Sequence, residues 1–246
     1  MTLRTNPVTL LVVTAAWLGG SVSGLAADAP DAAAFLARVR EPFRQDAWGR
    51  FTGTLLHLDE DGKTKRPVAM TVRFTSARAQ ALIVLDQDRV YRATHTHGAP
   101  PAERMTLQLP DPDAGGPCLA DFGLEPQDVT LSFLYWELVA ELAPDYVRHQ
   151  PCRVLELRHP QKPVHVRAWF SRDYLFPLRV EWYRVGEPEP WRELEFREFK
   201  KYSEQLWFMK TVQLRGDGWK TRVTFDQAEL HMSADTPVPD DLFGVE

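Results

Sequence analysis

From residue 151 to residue 201 the chain alternates apolar and polar residues in four short runs. A period of two is the mark of strands with one dry face and one wet face. Val164, Val166, Ala168 and Phe170 share a face, against His165, Arg167, Trp169 and Ser171. Leu178, Val180 and Trp182 oppose Arg179, Glu181 and Tyr183, and Leu194 and Phe196 oppose Glu193, Glu195 and Arg197. Turn formers separate the runs at 159–163, 171–173 and 186–190. The pattern predicts an antiparallel meander with charge outside and large apolar residues inside.

The same period governs much of the chain. Strands are expected over 49–58, 67–74, 80–85, 89–94, 105–109, 205–214 and 219–226, with turns at 59–63, 86–88 and 215–218 and a loop at 110–116. Strands that follow one another without long helices between them indicate an antiparallel sheet, not βαβ units. Two stretches break the pattern. Residues 31–44 read as a helix capped by Asp31, with Phe35, Leu36 and Val39 on one side and Pro42 ending or bending it. Residues 126–142 place Leu131, Leu134, Tyr135 and Leu138 on one helical face, with Phe133 and Trp136 pointing elsewhere. That helix is expected either to be simply buried or to lie across the mouth of a concave sheet. The tail is expected to plug one end with Leu242 and Phe243.

Residues 1–27 read as a cleaved export signal: Arg4 is a positive start, 8–18 an apolar core, and 19–27 a run of small residues. An uncleaved N-terminal anchor is the other reading of the same residues. The rest, 28–246, is expected to be a single domain. A net charge of −5 argues against a nucleic-acid partner. Cys118 and Cys152 are too few for a disulfide-dense scaffold, but an exported chain can join them, so a disulfide and two free thiols both stay open.

Motifs of covalent or metal chemistry are absent: there is no G-x-S-x-G, H-E-x-x-H, C-x-x-C or phosphate-binding glycine loop. His95 and His97 share a strand face but lack an evident third ligand, so solvated histidines are expected in place of a metal site. Asp111 and Asp113 open like a calcium loop, yet Phe122 stands where its bidentate Glu belongs. No cofactor and no metal are implied. Eight Trp and thirteen Phe suit either a solid core or an apolar cavity.

The segments DVTLSFLYWE, PCRVLEL, VHVRAWFSRDYLFPLRVEWY, EFREFKKY and the closing PDDLFGVE together resemble the outer-membrane lipoprotein-sorting (LolA/LolB-like) family. The most specific piece is Trp169, Asp173, Pro177, Leu178 and Arg179, in order along a strand–turn–strand. The resemblance spans roughly 31–246. It implies a mainly β protein with helices (α+β), a single large curved antiparallel sheet forming a half-open barrel with helices over an apolar cavity. It also implies a periplasmic, non-enzymatic carrier of lipid or lipoprotein acyl chains in a Gram-negative-type envelope, working with an inner- or outer-membrane partner. The expected lining is Phe133 and Trp136 from the helix, with Val166, Phe170, Val180 and Trp182 from the sheet. The alternatives are an envelope interaction protein of the same fold with a filled core and, less favoured, a hydrolase, for which no nucleophile–base pair is evident.

Overall fold

A computed structural model describes residues 31–110, 116–203 and 206–244. The expected export signal and most of the 110–116 loop lie outside them. The chain opens with α1 (Ala32–Arg40), capped by the Asp31 carboxylate, which accepts from the Ala34 amide at 2.7 Å. Pro42 turns the helix into a 3-10 turn over Glu41–Arg44. Asp31→Ala is expected to cost about 1 kcal/mol, measurable by urea unfolding.

The strands follow as β1 (Ala47–Asp59), β2 (Gly62–Phe74), β3 (Arg78–Leu85), β4 (Arg89–Thr96), β5 (Met105–Gln108) and β6 (Glu137–Val147). After them come β7 (Gln150–Arg158), β8 (Val164–Ser171), β9 (Pro177–Arg184), β10 (Arg192–Lys201), β11 (Trp207–Gly216) and β12 (Trp219–Met232). They form one antiparallel sheet of 12 strands in the order β5-β4-β3-β2-β1-β12-β11-β10-β9-β8-β7-β6. Apart from the central β1–β12 pair, every neighbour in that order is also a neighbour in sequence. Among the described residues β5 and β6 remain as free edges, so the barrel is not closed. The alternating faces put one apolar layer on the inner side. α1 docks there through Phe35, edge-on to Phe170 at 6.2 Å, and the 3-10 turn follows through Phe43, 6.0 Å from Phe74.

Three expectations need correction. The helix over 126–142 does not form. α2 covers only Pro126–Val129, Leu131 is left-handed with φ 48, a 3-10 turn spans Ser132–Tyr135, and Glu137 begins β6. Leu138, Ala140 and Leu142 are half-buried while Glu137, Val139 and Glu141 are exposed, so a period of two overrides the helical stripe. Pro144 is tolerated because β6 is an edge strand with a register shift between Leu142 and Asp145.

Cys118 and Cys152 are both free thiols, so the disulfide reading fails. Cys152 lies in β7, whereas Cys118 precedes a turn whose Leu119 amide donates to the Tyr91 hydroxyl of β4 at 3.1 Å. These strands belong to opposite wings of the sheet. The expected wet face of β8 and β9 is also largely covered. Trp169 is buried; its indole donates to Asp145 at 2.9 Å and Arg179 lies over its ring. Tyr183 is buried between His165, stacked at 5.2 Å, and the Arg167 guanidinium at 4.5 Å.

Candidate functional site

Inward alternation on β2 brings Val68, Met70, Val72 and Phe74 to one face, and β1, β3, β10, β11 and β12 add Phe51, Ile83, Phe196, Val212 and Phe225. These side chains surround an apolar cavity of about 90 Å³. Leu119, Leu124, Val129 and Leu131 close it from above. They belong to a lid segment, 119–136, built from a 3-10 turn (Leu119–Phe122), α2 and the 132–135 turn.

The lid is fastened at several points. At its start, Thr221 donates to the Phe122 carbonyl at 2.5 Å. Gly123 follows with φ 67, and a Cβ there would lie 2.1 Å from the Trp219 ring, so only glycine fits both the backbone and the contact. In the middle, the Arg192 guanidinium of β10 grips the Asp128 carboxylate through both Nη atoms and donates from Nε to the Gly123 carbonyl at 3.1 Å. Both residues are buried, and Arg192 lies over the Trp182 ring at 4.5 Å. The second oxygen of Asp128 also accepts from the Glu125 amide at 2.9 Å. At its end, Arg40 donates to the carbonyls of Leu134 (2.7 Å) and Trp136 (3.4 Å), and Arg104 to that of Tyr135 (2.8 Å). Two guanidiniums thus satisfy three successive carbonyls that the short turn leaves unpaired.

His57 makes a constellation that resembles a hydrolytic triad. Its Nδ1 is 2.7 Å from Thr221 Oγ1 and its Nε2 is 3.0 Å from Asp59. Thr221 is fully buried, however, and its hydroxyl proton is committed to Phe122. The Thr221 hydroxyl is therefore not free to act as a nucleophile, and the group pins the lid.

Of the six residues expected to line a ligand, none borders the cavity. Val166, Phe170 and Val180 are fully buried in the solid wing formed by β8 and β9. Phe133 meets Trp182 edge-on at 6.2 Å beneath the lid. Trp136 stands apart, edge-on to His159 at 4.8 Å. The residues around the cavity were legible as inward-facing strand positions, but alternation alone does not mark which inward positions adjoin empty space.

Arg104, next to β5, and Glu137 and Leu138 of β6 line one cleft, a seam spanned by the lid's last turn. His95 of β4 is 1% exposed, so it is not the solvated histidine expected, and among the described residues both its ring nitrogens lack a hydrogen-bond partner, as does the Tyr135 hydroxyl. The Tyr135 ring lies 4.4 Å from His95 and 4.8 Å from His97. Among the described residues no group of three or more His, Cys, Asp and Glu is placed to hold a metal, so the two histidines have no third ligand. Burial first, then His97 and the Arg104 and Arg40 charges, lower the His95 imidazole from 6.5 to about 3.

The unfolded chain therefore takes up this proton near pH 6.5 while the folded chain does not until about pH 3. Stability is full above the upper value and falls on acidification toward the lower one, by about 1.4 kcal/mol per pH unit. His97 and His159 are lowered by burial in the same direction. His95→Phe is expected to flatten the slope of urea-unfolding free energy between about pH 6 and pH 4 by one proton's worth; an unchanged slope would contradict the burial of a neutral imidazole.

No family model matches this chain, and no curated protein matches it in sequence. Solved structures do match it in fold. One is described as an outer membrane lipoprotein-sorting protein domain from Vibrio parahaemolyticus, with TM-score 0.64 and 16% identity over 85% of this chain and 94% of that one. A DUF1329 family protein from Desulfovibrio piger gives TM-score 0.66 and 16% identity, again over 85% and 94% of the two chains. A LolA superfamily protein from Nitrosomonas europaea gives TM-score 0.58 and 14% identity over 87% of this chain and 98% of that one. An unclosed antiparallel sheet with short helical segments over its apolar face, shared at this coverage with those structures, is the LolA-like fold, and this chain has it.

Proposed function

We propose that the protein is a periplasmic binding protein that carries lipid or lipoprotein acyl chains by burying them, without covalent chemistry, in the cavity beneath the lid. The observation that carries this reading is a cavity walled by apolar side chains and covered by a segment that a buried ion pair fastens to β10. The likeness in fold to a lipoprotein-sorting domain supports the class of cargo. Residues 1–27 as an export signal support the compartment, and 28–246 is then one carrier domain.

The free volume of the cavity, about 90 Å³, is smaller than the roughly 150 Å³ that admits a benzene. A chain of ten or more carbons therefore requires the lid to lift. Each methylene buried contributes about 0.8 kcal/mol, so ten offer roughly 8 kcal/mol toward that opening. A partner at either membrane would supply or receive the chain.

Titration of a fluorescent fatty acid into the purified protein tests the reading. Saturable uptake that a cavity-filling variant abolishes supports it. No uptake by the folded protein favours the filled-core interaction protein, a reading that the solid β8–β9 wing and the small closed volume support.

A further inference from the structure

We propose that the seam between the two free sheet edges is an anion-binding subsite, with Arg40, Arg104, Tyr135 and His95 as donors, that takes the phosphate or carboxylate head group of the amphiphile whose chain enters the cavity. The head-group assignment rests on the carrier reading; the affinity for an oxyanion does not.

The charge balance at the seam points to an anion. Arg40 and Arg104 sit close enough to repel, and neither pairs with a carboxylate among the described residues; their bonds go to backbone carbonyls. The acid that faces this space, Glu137, is already held by Arg158 at 2.9 Å. Lys162 adds a further positive group at the rim. A cation between His95 and His97 would have to sit beside two guanidiniums, whereas an oxyanion is attracted to them.

The polar atoms point the same way. A neutral imidazole always carries one N–H, so His95 brings a buried donor without a partner, and the Tyr135 hydroxyl is a second. Buried donors of this kind normally have a partner, and an oxygen of a phosphate or carboxylate supplies one. Clefts open beside these residues, with Tyr135 on one and His95 on the other. Adjoining clefts of about 490 and 320 Å³ share Arg104 and Trp136, and the smaller one reaches His95.

The position suits a head group. His95 pairs with Ala79, and Ala79 pairs with Phe74, so His95 faces the same concave side as a residue of the cavity wall. Two strand spacings separate them, about 10 Å. A chain in the cavity and an anion at the seam are then joined across a few bonds.

The test uses the whole mature protein titrated with dodecyl phosphate, with dodecanol and with inorganic phosphate, alongside Tyr135→Phe and His95→Phe. Tyr135→Phe removes a hydroxyl that has no partner among the described residues, so its thermal midpoint should not fall. The expected result is that wild type binds dodecyl phosphate at least about tenfold more tightly than dodecanol, and that either variant loses most of that gap. Equal affinity for the two amphiphiles, unmoved in the variants, overturns the subsite and leaves the carrier reading standing. Inorganic phosphate bound with the same Tyr135 dependence, while neither amphiphile binds, overturns the head-group assignment and the carrier reading together and leaves a site for free oxyanions. No binding of any of the three by folded protein overturns both.

Discussion

Arg192→Ala is expected to be among the most destabilising single changes in the chain, by roughly 3–5 kcal/mol. The guanidinium is buried, and its removal leaves the Asp128 carboxylate in apolar surroundings with the Glu125 amide as its remaining partner among the described residues. It also strips the Gly123 carbonyl of its donor and the Trp182 ring of its cation. For a chain of this length such a loss lowers the thermal midpoint by on the order of 10 °C. The double replacement Arg192→Met with Asp128→Leu should recover most of it, because it removes the unpaired charge along with its partner. Function should not recover in the same way. An ion pair can be broken and remade as a chain enters, whereas a methionine–leucine contact adds apolar cover to the lid. Thermal unfolding and fatty-acid titration on the same three proteins check both halves. Equal stability of Arg192→Ala and wild type would mean that the pair does not hold the lid.

Filling the cavity should abolish binding with far less effect on folding. Val72 of β2 and Val212 of β11 face the space from different walls. Replacing both with phenylalanine occupies volume that four or five methylenes would otherwise use, about 3–4 kcal/mol of burial and a loss of affinity on the order of a hundredfold. Overpacking costs about 1–3 kcal/mol where the fit is tight, but here part of the added volume enters existing space. Trp136→Asp serves as the contrast. Trp136 borders the seam clefts but not the cavity, so affinity for an uncharged apolar probe should stay within about twofold of wild type. If Trp136→Asp abolished uptake and the double phenylalanine did not, the ligand would occupy the seam side of the lid and not the cavity.

The contrast also marks how far the sequence could be read. Leu178, Val180, Trp182, Leu194 and Phe196 are all buried, as their alternation requires, and the four central strands stand where the turn formers place them. α1 keeps its cap and its buried stripe of Phe35, Leu36 and Val39. β6 was hidden because residues 131–138 satisfy a helical stripe and residues 137–142 a strand alternation. Pairing with β7, a contact that only the folded sheet supplies, decides between them. Tertiary context routinely overrides a local preference of this size. The cavity was hidden for a different reason. Inward positions can be read one strand at a time, but empty space among them depends on how six strands and a lid pack together. The Asp128–Arg192 pair bridges 64 positions, and nothing in either local sequence marks its partner. His57 and Thr221 are similarly remote, 164 positions apart.

The most direct test of the central claim is native mass spectrometry of the protein purified without detergent from the cells that make it. The carrier account predicts a mass excess that disappears on denaturation and is identified as phospholipid or acylated peptide. Protein that shows only the polypeptide mass, and stays so after incubation with lipid vesicles, would contradict it.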